Sequence, residues 1–235
     1  MNSKKENPFI NLLANILIPV FILNKTALFP GENKALIALG VALLFPIGYG
    51  LWDLIKNSKT NYFSILGLVN TLITGLFAVY ALDGFWFAVK EAALPACLGI
   101  GVYITSVKGR PFIKNLIASS GMFDMELINS KSVELGSEPE INKSFLKANK
   151  LFSVSFFISA VLNFILAIYI FKPIAYEMTS SDKAVLLNGQ ISQMTWAGML
   201  VISVPMVFFL GFTFYKLIQD LQLHTGLSQD EILNT

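Results

Sequence analysis

The chain has 235 residues, 54% hydrophobic and 14% charged, with 17 Lys and Arg against 15 Asp and Glu. Soluble domains carry about a quarter charged residues. This composition, with a mean hydropathy of +0.64, therefore points to an integral membrane protein. A net charge of +2 spread along the chain offers no basic face for nucleic acid, and a lone Cys97 excludes an internal disulfide or a thiol metal cluster.

A helix that crosses a bilayer needs about 20 mostly apolar residues. Six stretches qualify: 8–28, 34–56, 61–82, 84–107, 150–172 and 194–217. The expected fold is all-α: a polytopic membrane protein, one transmembrane domain over 1–235, with a bundle of six helices and a cytoplasmic amphipathic connection over 108–149.

The first stretch follows Lys4 and Lys5 and is interrupted by Asn11, Asn15 and Pro19. It reads as a retained span rather than a cleaved leader. In the second, Gly48-Tyr49-Gly50 has the letters of a potassium filter but lies within a span, so close helix packing is expected instead. The third carries Asn70 and Thr74. The fourth carries Lys90 and Glu91 side by side, then Pro95.

In the connection, Pro111 to Phe123 alternates apolar with basic or small residues and is expected to lie on the membrane surface. Ser137-Glu-Pro-Glu140 has the form of a capping box, which should open a helix running unbroken into the fifth span. That span holds Asn163. In the outer connection, 173–193, Ser181 or Asp182 is expected to cap a small helix. The sixth span should continue to about His224 and stop near Gly226, and Ser228-x-x-Glu231 should open one more turn.

Lys and Arg set orientation. With the N-terminus inside, twelve of them flank inner span ends, four flank outer ends, and Lys90 remains within the membrane. Both termini are expected in the cytoplasm. Trp52, Trp86 and Trp196 fall near predicted interfaces.

Charge inside the fourth span is the main pointer to a site. A charge at a helix centre costs about 2.5–3.5 kcal/mol on insertion scales. Neighbours on a helix point about 100° apart, so Lys90 and Glu91 are each expected to need a separate partner. Candidates at matching or middle depth are Asn70 and Thr74 on the third span, Asn163 on the fifth and Asn24 on the first, with Asn15 as a further polar group. Pro19 and Pro95 are expected helix breaks. Proline lacks an N–H, which frees the carbonyls of Asn15 and Glu91, four residues earlier. This common spacing raises an inverted repeat of three spans per half. The intramembrane polar site is thus Lys90, Glu91, Asn15, Asn70, Thr74 and Asn163, serving either an ion or solute path or helix-to-helix hydrogen bonding.

No phosphate loop, HExxH, paired CxxC or Ser/His/Asp set occurs, so no enzyme chemistry, cofactor or metal is expected. The expected partners are the lipid bilayer and other membrane proteins or a second copy.

Six phrases resemble a known family: NPFINLLANILIPVFILNK (7–25), FPIGYGLWD (45–53), DGFWFAVKEAALP (83–95), RPFIKNL (110–116), VLNFILAIYI (161–170) and LNGQISQMTW (187–196). They are similar to a group of uncharacterised bacterial six-span membrane proteins, which looks like a distant relative of bacterial intracellular septation protein A. The stretches matching that relative are Phe87 to Lys90, Arg110 to Ile113, and Leu162, Asn163 and Ala167. The added segment 173–193 and Glu91 depart from its pattern. The resemblance implies an inner-membrane protein tied to the cell envelope or division, and it carries no catalytic residues.

Overall fold

The computed structural model describes residues 13–56, 69, 72–74, 76–77, 84–173 and 177–233. Among these, helices follow one another without a strand, apart from one isolated antiparallel bridge between Phe123 and Leu233. A π-helical turn, Leu13–Leu17, leads into α1 (Ile18–Asn24), and a 3-10 turn spans Thr26–Leu28. Then come α2 (Lys34–Lys56), α3 (Gly84–Val107), α4 (Phe112–Ser120), α5 (Met125–Glu134), α6 (Glu138–Ile170), α7 (Ser180–Val201), α8 (Ser203–Thr225) and α9 (Gln229–Ile232).

Four helical stretches are long and apolar enough to cross a membrane: Lys34–Trp52, Gly84–Val107, Glu138–Ile170 and Ser181–Thr225. They carry large apolar residues on their outward faces, with Phe208 76% and Tyr169 69% exposed. Apolar surface on that scale fits a hydrocarbon surrounding rather than water. The expected first span, 8–28, is shorter among the described residues. Its helix ends at Asn24, where Thr26 donates to the carbonyl of Leu23 at 2.7 Å. Most of the expected third span, 61–82, lies outside the described residues.

The expected sixth span, 194–217, runs across a helix break at Ile202. Its cause is Pro205, which cannot supply the N–H that the carbonyl of Val201 would need. Regular bonding resumes with the Met206 N–H donating to Ile202 at 3.2 Å. Nor is there a small helix in the outer connection. The 22-residue α7 starts at Ser180, capped by Thr179 rather than by Ser181 or Asp182. The Thr179 hydroxyl accepts from the Asp182 N–H at 3.2 Å and donates to the Asp182 carboxylate at 2.8 Å.

The chain divides into two compact units, one of Met1–Glu91 with Asn163–Val201, the other of Ala92–Leu162 with Ile202–Thr235. In the first, α1, α2 and α7 pack together. Buried Ala35, Ala38 and Ala42 on α2 let neighbouring backbones approach. Asn188 on α7, 2% exposed, donates to the Ala35 carbonyl at 2.8 Å and to Thr26 at 3.4 Å.

The second unit holds an ordinary apolar core in the region expected to be a surface connection. Ile113 and Ile117 of α4, Ile128 of α5, Ile141 and Phe145 of α6, Leu217 and Leu221 of α8 and Ile232 of α9 form one cluster. The apolar face of α4 therefore packs against protein, not a lipid surface, because α6 and α8 provide matching apolar faces. The core is closed by long-range ties. The Ser137 hydroxyl donates to the His224 carbonyl at 2.7 Å, and the Asp124 N–H to the Ile232 carbonyl at 2.9 Å.

Asn149 is the polar node beneath this core. It is wholly buried, accepts from the Ile113 N–H at 2.9 Å, and donates to the Val102 carbonyl, Thr105 and Ser106 at 2.9, 3.0 and 2.6 Å. It joins α3, α4 and α6 through one side chain. Just below, the Ser153 hydroxyl donates to the Gly99 carbonyl at 2.9 Å.

The chain ends of this unit follow the sequence closely. Gly226 stops α8 at φ 71, and Ser228 with Glu231 completes a reciprocal capping box. The Ser228 backbone N–H, and secondly its hydroxyl, bond the Glu231 carboxylate and hold its pKa below the ordinary value.

Replacing Asn149 with Leu removes all four bonds and should cost about 3 kcal/mol, read as a lowered melting temperature of the purified chain. The Glu231 box contributes stability above the ordinary carboxylate pKa and loses it as pH falls through the lowered folded-state value. The protection of the Ser228 amide against exchange, taken relative to the unstructured chain at the same pH, should therefore fall on acidification through that value. Ser228→Ala should move the Glu231 pKa back up, as read by NMR titration.

Candidate polar site within the membrane helices

The site is built on the first two turns of α3. Gly84 opens the helix against α6: the carbonyl oxygen of Phe171 occupies the place where a Cβ would stand, so only glycine fits. Close packing is also expected at Gly48-Tyr49-Gly50, where a Cβ on Gly48 would meet no described residue within 4 Å. One turn on, Phe87 is wholly buried, stacked on Phe171 at 4.3 Å between centroids and edge-on to Phe77 at 5.7 Å.

Lys90 lies one further turn along, about 9 Å from the start of α3 at the helical rise. Its side chain is 5% exposed and that of Glu91 19%. Lys90 Nζ lies 2.7 Å from Glu91 Oε1 and donates to Thr74 Oγ1 at 2.6 Å. The expectation of separate partners is thus corrected: the two neighbours pair with each other. The 100° between their Cβ directions separates the roots of the side chains only. Four methylenes let the ammonium swing round the helix to the carboxylate. Thr74 supplies a second acceptor from the third apolar stretch.

The other expected members have separate places. Asn15 sits in the π-helical turn before α1 and Asn163 on α6, each half-buried and each engaged in an interaction. Asn24 is exposed at the end of α1, and Asn70 lies outside the described residues.

The two prolines act differently from each other and from expectation. Pro19 is the second residue of α1, just after the π-helical turn Leu13–Leu17 passes into it without a gap. The π-helical turn before it takes up the change of pitch. Pro95 lies inside α3, which continues through it to Val107. One lost bond does not end a helix whose flanking turns remain bonded and packed. At Pro19 the helical run changes pitch from π to α, and at Pro95 the α-helix continues, so the two sites do not share a local geometry.

Asn149 and Asn188 are the polar groups that the sequence reading passed over. Asn149 stands among Ala148, Lys147 and Lys150, which reads as a solvated turn. Its signal is periodicity, since it shares a face with buried Phe145 and half-buried Phe152 rather than with the lysines. Among the described residues, no three His, Cys, Asp or Glu side chains are grouped to hold a metal.

Compared with known families, curated proteins and solved structures, the chain matches none.

If the pair serves to neutralise itself, Glu91→Gln alone should destabilise by about 3 kcal/mol, because it strands a buried ammonium. Lys90→Met with Glu91→Leu together should melt near the wild-type temperature. A double variant as unstable as the single one would show that the charges do more than cancel.

Proposed function

We propose that this is a multi-pass protein of the bacterial inner membrane, with both termini cytoplasmic. It works without catalysis, through helix contacts with other envelope proteins or a second copy of itself. The membrane setting is supported by the apolar outward faces of the long helices. The envelope or division-related role rests on the resemblance of the sequence phrases to the septation protein A group.

The single observation that carries a contact role over transport is the closure of the charged site. Lys90 is engaged by Glu91 and Thr74 within 2.7 Å, an arrangement that neutralises charge in place. A second reading, a small-solute or ion transporter or channel, is favoured by one feature. Glu91 keeps 19% side-chain exposure, and its carbonyl is the one that Pro95 deprives of a partner.

Proton and ion flux into vesicles bearing the purified chain separates the two. The contact reading expects flux at the level of empty vesicles, unchanged by Glu91→Gln or Lys90→Met, together with a reproducible partner in membrane crosslinking. Flux that the wild type supports and Glu91→Gln abolishes would establish the transport reading instead.

A further inference from the structure

We infer that the second unit carries a ring of cations that seats on anionic phospholipid headgroups. This rests on the membrane-spanning reading above.

Three helices change character at one level. On α3, exposed Ile100, Tyr103, Ile104 and Val107 give way to exposed Lys108 and Arg110. On α8, exposed Val207, Phe208, Phe212 and Tyr215 give way to Lys216. On α6, read from the other end, exposed Lys143, Lys147 and Lys150 give way to exposed Val154, Phe157, Ile158 and Val161.

Hydrogen bonds and one ion pair fix these changes at a common height. Asn149 ties α6 to Val102, Thr105 and Ser106 of α3 and to the start of α4, and Ser153 ties it to Gly99. Lys147 lies 3.1 Å from Asp220 of α8. Lys143 to Lys150 span only about 10 Å along the axis. Lys114 of α4 joins the ring, its ammonium 5.4 Å from the centre of the Phe145 ring. Within this band Asp220 is the only carboxylate among the described residues of the unit.

The other acids of the unit stand outside the stretches that carry these cations: on α6, Glu138 and Glu140 precede Lys143 at the end away from the apolar face, and Asp124, Glu126, Glu134, Asp230 and Glu231 lie on α5, its cap and α9. Segregation of this kind matters because a cation near an anionic leaflet gains free energy while an acid there loses it, and the field dies away within a Debye length. The lysines also have the form the task needs: apolar stems that lie along the helix, with the ammonium carried outward. The partner that fits is a phospholipid with a net negative headgroup, such as phosphatidylglycerol, held where hydrocarbon meets water.

The test is retention of lipid by the full chain. The protein is reconstituted with equal phosphatidylcholine and phosphatidylglycerol, extracted in mild detergent and examined by native mass spectrometry. Wild type should retain phosphatidylglycerol over phosphatidylcholine. The triple variant Lys143→Gln, Lys147→Gln, Lys150→Gln should retain about tenfold less of it. Lys131→Gln, beyond the band, should behave as wild type and controls for nonspecific charge loss. Equal retention of both lipids by wild type, or undiminished phosphatidylglycerol on a triple variant whose helicity and melting are intact, overturns the inference.

Cys97, exposed on α3 in the apolar zone, separates this failure from failure of the membrane reading. A water-soluble maleimide should label it only after the vesicles are dissolved. Labelling in intact vesicles overturns both readings. Protected Cys97 without lipid preference overturns the ring alone.

Discussion

A polar group on an apolar helix has to be satisfied by something within reach of its own side chain, because the surroundings offer no water. That constraint explains the placement of Lys90, Asn149 and Asn188. Lys90 has the longest reach and turns back to its neighbour Glu91, adding Thr74. Asn149 has almost no reach, so two other helices, α3 and α4, come to it. Asn188 does the same on a smaller scale between α7, α2 and the turn after α1. No buried side-chain nitrogen or oxygen among the described residues lacks a hydrogen-bond partner.

The same constraint governs backbone groups, and the prolines show how context decides. Pro95 lies inside a helix that continues through it, and Pro46 does so in α2. Pro205 coincides with a break, at the residue after the carbonyl it deprives. Pro19 lies where a π-helical turn becomes α-helix, a change of pitch within one helical run. A proline in an apolar run thus announces one unpaired carbonyl. Whether the helix ends there depends on the packing of the turns around it.

Local chemistry was legible in the sequence, and pairing at a distance was not. The bounds of α2 and α3 follow from apolar runs ended by charge, and α6 opens at Glu138 where the sequence places it, although the Ser137 hydroxyl is given to the His224 carbonyl. Gly226 and Ser228 set the end of the chain as their chemistry requires. Thr74 was found from depth alone. What failed were inferences that took a residue's direction from its Cβ or its surroundings from its neighbours in sequence. The Lys90–Glu91 pair escaped because a long side chain does not follow its root. The core around Phe145 escaped because half of each contact lies on α8 or α9. The break at Ile202 escaped because Pro205 sits in an apolar run with no polar residue to mark an end.

That core also fixes an order of assembly. Ser137 and His224, whose contact helps close it, are 87 positions apart in the chain, and the whole of α7 is threaded between them. Joining points so far apart is entropically costly until the intervening segments have found their places. The cap of the second unit therefore forms late, because its two halves can meet only once α6, α7 and α8 have all been made.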